Sequence, residues 1–316
     1  DTGISSQYAS ALLMAAPLAN RPFEVVLNQT HLEQKPYIQM TRSLMQQWGI
    51  ETLQKQEQGD VVLSIQKGCY QARSYQVEAD YSSASYFFVA ALLAGGQLQL
   101  GPFDQKSLQG DKRIVEIARL CGADIRYQEG YYHISCDTLQ APGLDLDLRT
   151  CSDLMMALAV LAPFLQSKTT LCGIAHTQFQ ESRRIDTIVA TLQAVGVRAE
   201  QFEDALCIYP GTVSSASIDS CGDHRLAMAC SLWALTGAHI TIKDAQVVEK
   251  TNNISTNLVK KEQKSNKLLK GEVLEFIYKF KGMDIPEDMK KAKAMKKAFD
   301  TRYKELLKAK GVEISD

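Results

Sequence analysis

The sequence lacks the long apolar run that a membrane-spanning helix requires. Its longest apolar stretch, residues 154–165, has 12 residues and contains Pro163, whereas a spanning helix needs about 20 apolar residues. The first residues, DTGISSQ, also lack the basic segment followed by an apolar one that marks a secretory signal peptide. These absences predict a cytoplasmic protein without membrane contact.

The sequence also lacks the cysteine spacing typical of zinc sites. None of its eight cysteines forms a C-x-x-C pair, which argues against a structural zinc ion. Because the sequence shows no secretion signal, the cysteines are expected to be buried free thiols. They are residues 69, 121, 136, 151, 172, 207, 221 and 230. We therefore expect neither a disulfide framework nor a bound metal.

The net charge of −1 combines two unlike segments. Residues 252–316 contain 15 lysines and one arginine against 10 acidic residues, and they contain no cysteine. The preceding residues carry the acidic excess, so the break in composition predicts a separate module. Apolar residues at helical spacing in 266–280 and 292–306 predict a lysine-rich helical tail. Its lysines alternate with acidic residues and lack aromatic platforms, so nucleic-acid binding is not expected.

An internal repeat organises residues 1–251. Four apolar helical segments each begin with a small or polar pair, at residues 5, 82, 152 and 223. Each is followed by a β-like segment, and the first three continue with a second helix ending in glycine and a β-hairpin. The repeating unit is β-α-β-α-β-β, which predicts an α/β (α+β) protein.

The repeat also predicts three domains. Residues 1–73 are the remaining unit of a first domain. Residues 74–251 form a second domain of two full units and a partial one. Residues 252–316 are the helical tail, whose origin the sequence does not reveal.

The helix starts carry side chains suited to anions. The first backbone N–H groups of a helix are free and its dipole is positive there, so phosphates and carboxylates bind at such ends. Serine and aspartate at these positions are ordinary N-caps, the role expected for Ser82 and Ser83. Arg184 and Arg225 oppose the helix dipole in first turns and therefore need an anionic partner, internal or bound. This pattern predicts a polyanionic substrate.

Seven segments in one order and at matching separations carry a specific resemblance. They read ISSQYASALLMAAPLA, KPYIQMT, EADYSSASYFFVAALLAGG, SLQGD, SDLMMALAVLA, QESRRI and GDHRLAMACSLWAL. Residues 1–251 resemble the EPSP synthase family of enolpyruvyl transferases, whose members are built from the same β-α-β-α-β-β unit. The resemblance implies transfer of the enolpyruvyl group of phosphoenolpyruvate to the 5-hydroxyl of shikimate 3-phosphate. Phosphate is released, the reaction belongs to the shikimate pathway of aromatic amino acid biosynthesis, and no cofactor is implied.

The resemblance also implies roles for individual residues. Asp153 orients the attacking hydroxyl and accepts its proton, and Glu181 takes part in proton transfer at the enol carbon. The residues implied for shikimate 3-phosphate are Ser5, Ser6, Gln7, Tyr37, Asp153 and Gln180. Those implied for phosphoenolpyruvate are Gln7, Arg184, His224, Arg225 and Lys250.

Departures from the family pattern bear on this expectation. Gln178 and Gln180 stand in a segment where the family is rich in cations, and Arg183 replaces an acid. In the family, roughly the first third precedes the SSQ motif and carries a catalytic lysine–serine–arginine cluster. That part has no counterpart in this sequence, so we expect little or no activity from this chain alone.

Three alternatives to a complete shikimate-pathway enzyme stay open. The chain could be a catalytically inactive fragment, or one half of a split enzyme completed by a separate N-terminal polypeptide. It could also be a UDP-N-acetylglucosamine enolpyruvyl transferase. The SSQY, LQGD and DHR strings favour the shikimate enzyme over this last alternative, and the sequence shows no reactive-cysteine loop.

Overall fold

The computed structural model describes residues 6–27, 35–250 and 259–260. The chain divides into two compact units, which are described separately. Unit 1 comprises Asp1–Val77 with Lys106–Lys112, and unit 2 comprises Glu78–Gln105 with Arg113–Asp316. The expectations for Ser5 and for the helical tail lie outside the described residues, apart from the short strand at 259–260.

The described part of unit 1 follows the helix, strand, helix and hairpin order of the predicted repeat. Its elements are α1 (Ser6–Ala15), β1 (Phe23–Leu27), α2 (Pro36–Gln47), β2 (Thr52–Glu57) and β3 (Asp60–Ile65). The strands pair antiparallel in the order β1-β3-β2. At the predicted turn between β2 and β3, Gln58 and Gly59 both have positive φ, which is the geometry of a type I′ hairpin.

Unit 2 continues the repeat. Its helices are α3 (Tyr81–Ala94), α4 (Ile114–Leu120), α5 (Met155–Leu161), α6 (Arg184–Ala194) and α7 (His224–Ser231). Its first strands are β4 (Gly96–Leu100), β5 (Asp124–Gln128), β6 (Tyr131–Cys136), β7 (Asp145–Asp147), β8 (Thr169–Cys172), β9 (Ala199–Gln201) and β10 (Ala205–Ile208). Its other described strands are β11 (Ala216–Asp219), β12 (Ile240–Lys243) and β13 (Val259–Lys260).

The strands of unit 2 form three sheets. One is antiparallel, in the order β13-β4-β6-β5. The second has the order β7-β8-β10-β9, with β7 and β8 parallel, and the third pairs β11 with β12 in parallel. The order β7-α5-β8-α6-β9-β10 is a complete β-α-β-α-β-β unit, so the predicted α/β (α+β) class is confirmed.

The apolar helices of unit 2 lie in the core, as their composition predicts. Every residue of α3 except Leu93 is buried, and so is every residue of α5. These helices pack against each other, and α5 packs against α7. Trp233, just after α7, is fully buried, and its indole N–H donates to the carbonyl of Val160 at 2.9 Å. A helix that is apolar on all sides is stable only in such surroundings.

The apolar segment that begins at residue 152 is not one continuous α-helix. Ser152–Leu154 and Ala162–Phe164 are 3-10 turns on either side of α5. Pro163 lacks a backbone N–H and clashes with the preceding turn, which explains the end of α5. Asp153 therefore lies in a tight turn that precedes the α-helix.

Two sequence-based expectations need correction. Asp80 is the N-cap of α3, because its carboxylate accepts from the backbone N–H groups of Ser82 and Ser83. The two serines, expected to be caps, are buried inside the helix. All eight cysteines are free as expected, but Cys69 and Cys221 are exposed and Cys172 is only partly buried. Among the described residues, no helix has both the length and the apolar character needed to cross a membrane.

We predict that Asp80→Ala lowers the free energy of unfolding of unit 2 by about 1–2 kcal/mol, because two helical N–H groups lose their acceptor. Chemical denaturation followed by circular dichroism measures this loss. Asp80→Asn is the matched control, since asparagine is an equally good N-cap. Equal destabilisation by both variants would contradict the capping role.

Candidate functional site

The helix starts of unit 2 gather the charged residues that the sequence singles out. Asp153 lies in the turn before α5, Arg184 is the first residue of α6, and His224 and Arg225 begin α7. Helix α5 packs against both α6 and α7. The packing of repeated elements thus brings the three helix starts together.

The Arg184 guanidinium is buried between two carboxylates. Its Nε donates to Oδ2 of Asp223 at 2.8 Å, and its Nη1 donates to Oδ1 of Asp153 at 3.2 Å. Nη1 also donates to the amide oxygen of Gln180. Because the Arg184 side chain is only 4% exposed, the cost of burying its positive charge is offset by these partners.

Arg225 binds the other oxygen of Asp153. Its Nη2 donates to Oδ2 of Asp153 at 2.9 Å, so each carboxylate oxygen of Asp153 accepts from a different guanidinium. The anionic partner expected for the two arginines is therefore internal. Phosphate and carboxylate groups of a ligand offer guanidiniums the same oxygen geometry, so a bound anion could take the place of Asp153.

Asp223 belongs to this cluster although sequence reasoning assigned it no role. It is the N-cap of α7, and Oδ1 accepts from the backbone N–H of Arg225 at 2.9 Å. Oδ2 accepts from the hydroxyl of Ser182 at 3.0 Å and from Arg184. Burial acts to raise the pKa of Asp223, but the hydrogen bond and charge of Arg184 and the other donors outweigh it, so the pKa lies below its usual value. The available signal is its place before the His-Arg pair, because aspartate is a preferred N-cap.

Glu181 and His224 form a second polar pair beside this cluster. Nδ1 of His224 lies 2.8 Å from Oε2 of Glu181. The His224 side chain is 10% exposed and that of Glu181 is 40% exposed. A half-exposed carboxylate beside an imidazole is suited to proton transfer with a bound molecule.

Three of these side chains could also offer ligands to a metal ion. One ligand atom each from Glu181, Asp223 and His224 lie within 4.8 Å of one another. However, a metal ion at Asp223 would compete with Arg184 and Ser182 for the same carboxylate. Because Arg184 and Ser182 already donate to the Asp223 carboxylate, an internal ion pair is favoured there over a metal ion.

The remaining expected site residues are distributed over both units. Ser6 and Gln7 begin α1 in unit 1, and Tyr37 lies in the first turn of α2, where its side chain is exposed. Lys250 ends the 3-10 helix Ala245–Lys250 of unit 2. Ser5 and the side chain of Lys250 lie outside the described residues.

The residues that depart from the family pattern form their own contacts. The amide nitrogen of Gln178 donates to Oδ1 of Asp186 at 2.6 Å. Arg183 pairs with Oδ2 of the same carboxylate at 2.6 Å. The hydrogen bonds from the side-chain amides of Gln178 and Gln201, more than the charge of Arg183, hold the pKa of Asp186 below its usual value. The positive charge of Arg183 is therefore balanced by Asp186 in the first turn of α6.

The β-α-β-α-β-β units, with arginines and carboxylates at helix starts of unit 2, agree with the enolpyruvyl transferase fold that the sequence resemblance implies. The model of the family "EPSP synthase (3-phosphoshikimate 1-carboxyvinyltransferase)" matches residues 1–253. This chain belongs to the EPSP synthase family, and the resemblance inferred from the sequence is confirmed.

Similar proteins agree with this assignment. The 3-phosphoshikimate 1-carboxyvinyltransferase of Nostoc punctiforme is 38% identical over 250 residues, which cover 78% of this chain and 57% of the relative. The enzyme of the same name from Methanosphaerula palustris is 34% identical over 251 residues, covering 79% of this chain and 58% of the relative. The chain thus spans less than two thirds of the length of these relatives.

A solved structure supports the fold. An EPSP synthase from Acinetobacter baumannii, at 2.37 Å, matches with a TM-score of 0.58 and 22% sequence identity. The match covers 79% of this chain and 59% of that chain. At this identity the likeness concerns the fold alone.

We predict that the stability of unit 2 depends on acid pH through Asp223. Its lowered pKa in the folded chain means that its contribution is fully present above the unfolded value of about 3.9 and is lost as pH falls toward the folded pKa. Asp223→Asn removes the charge, so the stability difference between the unsubstituted chain and this variant should shrink between about pH 6 and about pH 3. Urea denaturation across this range measures the difference.

The control for this experiment is Asp124→Asn. Asp124 forms an exposed ion pair with Arg126, and such pairs contribute about 0–1 kcal/mol. The control should therefore differ little from the unsubstituted chain at either pH. A difference for Asp223→Asn that stays constant with pH would show that the buried carboxylate does not titrate as its contacts require.

Proposed function

We propose that this chain carries the part of an EPSP synthase that binds phosphoenolpyruvate and assists its reaction with shikimate 3-phosphate. In this reaction the 5-hydroxyl of shikimate 3-phosphate adds to the enolpyruvyl group, and phosphate then leaves. The observation that carries the proposal is the Asp153 carboxylate held by two guanidiniums at helix starts. Family membership supplies the reaction class, and the protein is proposed to act in the cytoplasm.

The proposed mechanism begins with an exchange of ion pairs. The phosphate and carboxylate of phosphoenolpyruvate would bind Arg184 and Arg225, because guanidiniums bind such groups through paired hydrogen bonds. This exchange would release the oxygens of Asp153. Asp153 could then orient the attacking hydroxyl and accept its proton as a general base.

Glu181 and His224 are proposed to take part in proton transfer at the methylene carbon of the enolpyruvyl group. Addition of the hydroxyl requires a proton at the methylene carbon, and loss of phosphate requires removal of a proton from the resulting methyl group. Glu181 is the proposed group for these transfers, and its contact with His224 gives it a partner that can share the proton. The guanidiniums would stabilise the charge on the departing phosphate.

The contacts proposed for shikimate 3-phosphate rest on the family resemblance. Ser5, Ser6, Gln7 and Tyr37 are proposed to bind this substrate from the first domain, residues 1–73. Gln180 is proposed to do so from the second domain, residues 74–251. Since Gln180 accepts a hydrogen bond from Arg184, its contact with substrate would be coupled to the movement of that arginine. Lys250 is proposed to bind phosphoenolpyruvate.

Exposed apolar side chains on helix α1 of unit 1 support the presence of additional repeat units that pack against it. Helix α1, like α3, is rich in apolar residues, yet its buried residues are Ala9 and Leu13. Tyr8, Leu12 and Met14 are exposed by half or more. Large exposed apolar patches are typical of interaction surfaces. We therefore propose that additional repeat units, on the same polypeptide or on a separate one, cover this face and complete the enzyme.

We predict that the chain alone binds phosphoenolpyruvate weakly. Millimolar ligand should raise the melting temperature, because binding to the folded state stabilises it. Arg225→Ala should weaken binding about tenfold or more, since a charge-assisted contact is lost. Arg126→Ala, which removes an exposed arginine of unit 2, is the control and should leave binding unchanged. Absence of any shift in the unsubstituted chain would contradict a functional phosphoenolpyruvate site.

We further predict that the chain alone shows little or no turnover of the two substrates. Adding a polypeptide with the N-terminal third that the resemblance implies for this family should restore phosphate release. In the restored mixture, Asp153→Asn should reduce the rate about 100-fold or more, because a general base is lost. Turnover by the purified chain alone at an ordinary rate, about 10 per second, would refute the need for further units.

A further inference from the structure

Tyr86 is a buried residue whose hydroxyl is not satisfied by the protein. It lies in the second turn of α3 and is 5% exposed. Within the described part of the chain, its hydroxyl hydrogen has no acceptor. Buried hydroxyls without partners are rare, because they lose their bonds to water without compensation.

Other tyrosines of unit 2 are satisfied in the same core. The hydroxyls of Tyr81 and Tyr132 bond to each other at 3.0 Å. The hydroxyl of Tyr127 donates to the carbonyl of Phe103 at 2.7 Å. The unpaired state of Tyr86 is therefore not a general property of how this unit packs its aromatic residues.

The surroundings of Tyr86 are the charged groups of the candidate site. Helix α3 packs against the turn Ser152–Leu154, which carries Asp153, and against α5. Burial raises the pKa of the Tyr86 hydroxyl and the charge of Asp153 acts in the same direction, whereas the charges of Arg225 and Arg184 and a hydrogen-bonding contact of Arg225 with the hydroxyl oxygen act to lower the pKa. The pKa is raised overall, so the hydroxyl keeps its proton and is a hydrogen-bond donor at neutral pH.

No described residue accepts a hydrogen bond from this donor. Guanidinium groups donate hydrogen bonds and cannot accept them, so neither Arg184 nor Arg225 can take the proton of Tyr86. Both oxygens of Asp153 already accept from the arginines. The Tyr86 hydroxyl lacks an acceptor, and an anionic oxygen would supply one. Arg184 and Arg225 attract the same kind of group.

We propose that the Tyr86 hydroxyl donates a hydrogen bond to an oxygen of the anion that Arg184 and Arg225 bind. This inference rests on the proposed function and adds a ligand-binding residue to the site. A phosphate or carboxylate oxygen between the arginines would pair the hydroxyl, so ligand binding would remove the unfavourable burial. Because α3 is fixed in the core, the hydroxyl would also orient the anion.

The test is Tyr86→Phe, assayed by calorimetric titration with phosphoenolpyruvate and by thermal denaturation. The variant should bind phosphoenolpyruvate about tenfold more weakly, since a hydrogen bond to a charged oxygen is lost. Without added ligand, its melting temperature should be unchanged or higher, because phenylalanine removes an unpaired polar group. A residue with a purely structural role would show the reverse pattern.

Tyr127→Phe is the matched control. It also removes one tyrosine hydroxyl from unit 2, but that hydroxyl is paired with a backbone carbonyl. This control should lower the melting temperature and leave the affinity for phosphoenolpyruvate unchanged. The two substitutions thus separate a ligand contact from a structural hydrogen bond.

The outcomes also separate this inference from the proposed function. If Arg225→Ala weakens binding and Tyr86→Phe does not, the role of Tyr86 is refuted and the anion site stands. A lower melting temperature of ligand-free Tyr86→Phe would likewise refute it, because the hydroxyl would then be satisfied by the protein. If the unsubstituted chain does not bind phosphoenolpyruvate, both proposals fail.

Discussion

The carboxylate of Asp153 lies between the guanidiniums of Arg184 and Arg225, and the polar centre of unit 2 depends on this contact. Each arginine brings positive charge to a helix start whose dipole is already positive. Removing such charges from water costs more than an isolated ion pair usually returns. Asp153 and Asp223 offset that cost within the protein. An anion that binds here must therefore exchange contacts with a carboxylate, which makes affinity a balance between two similar partners.

The repeat could be predicted from the sequence because it rests on local patterns. Apolar runs at helical spacing became α3, α5 and α7, and turn residues such as Gln58 and Gly59 marked a hairpin. The opposition between arginines and helix dipoles is also a local property, so it correctly indicated anionic partners for Arg184 and Arg225. The family resemblance then selected Asp153, Glu181 and His224 from many polar residues, and these lie at neighbouring helix starts of unit 2.

The features that sequence reasoning missed depend on contacts between distant segments. Asp223 interacts with Arg184, and the two are 39 residues apart along the chain. Tyr86 belongs to an apolar helix, and its relation to Arg225 arises only when α3 packs against the turn that carries Asp153. Residue type alone did not identify the N-cap of α3, because aspartate and serine are both preferred caps and Asp80 is followed by two serines. The choice among them follows from where the helix begins.

The two exposed cysteines give this molecule a property that the sequence did not suggest. Cys69 belongs to unit 1 and Cys221 to unit 2, while the other thiols are buried or partly buried. Thiol reagents would therefore reach these two positions first, with Cys221 slowed because partial burial and the nearby Asp219 raise its pKa. A donor and an acceptor dye attached there would report the separation of the units by energy transfer. The chain thus contains one natural attachment point for a label in each unit.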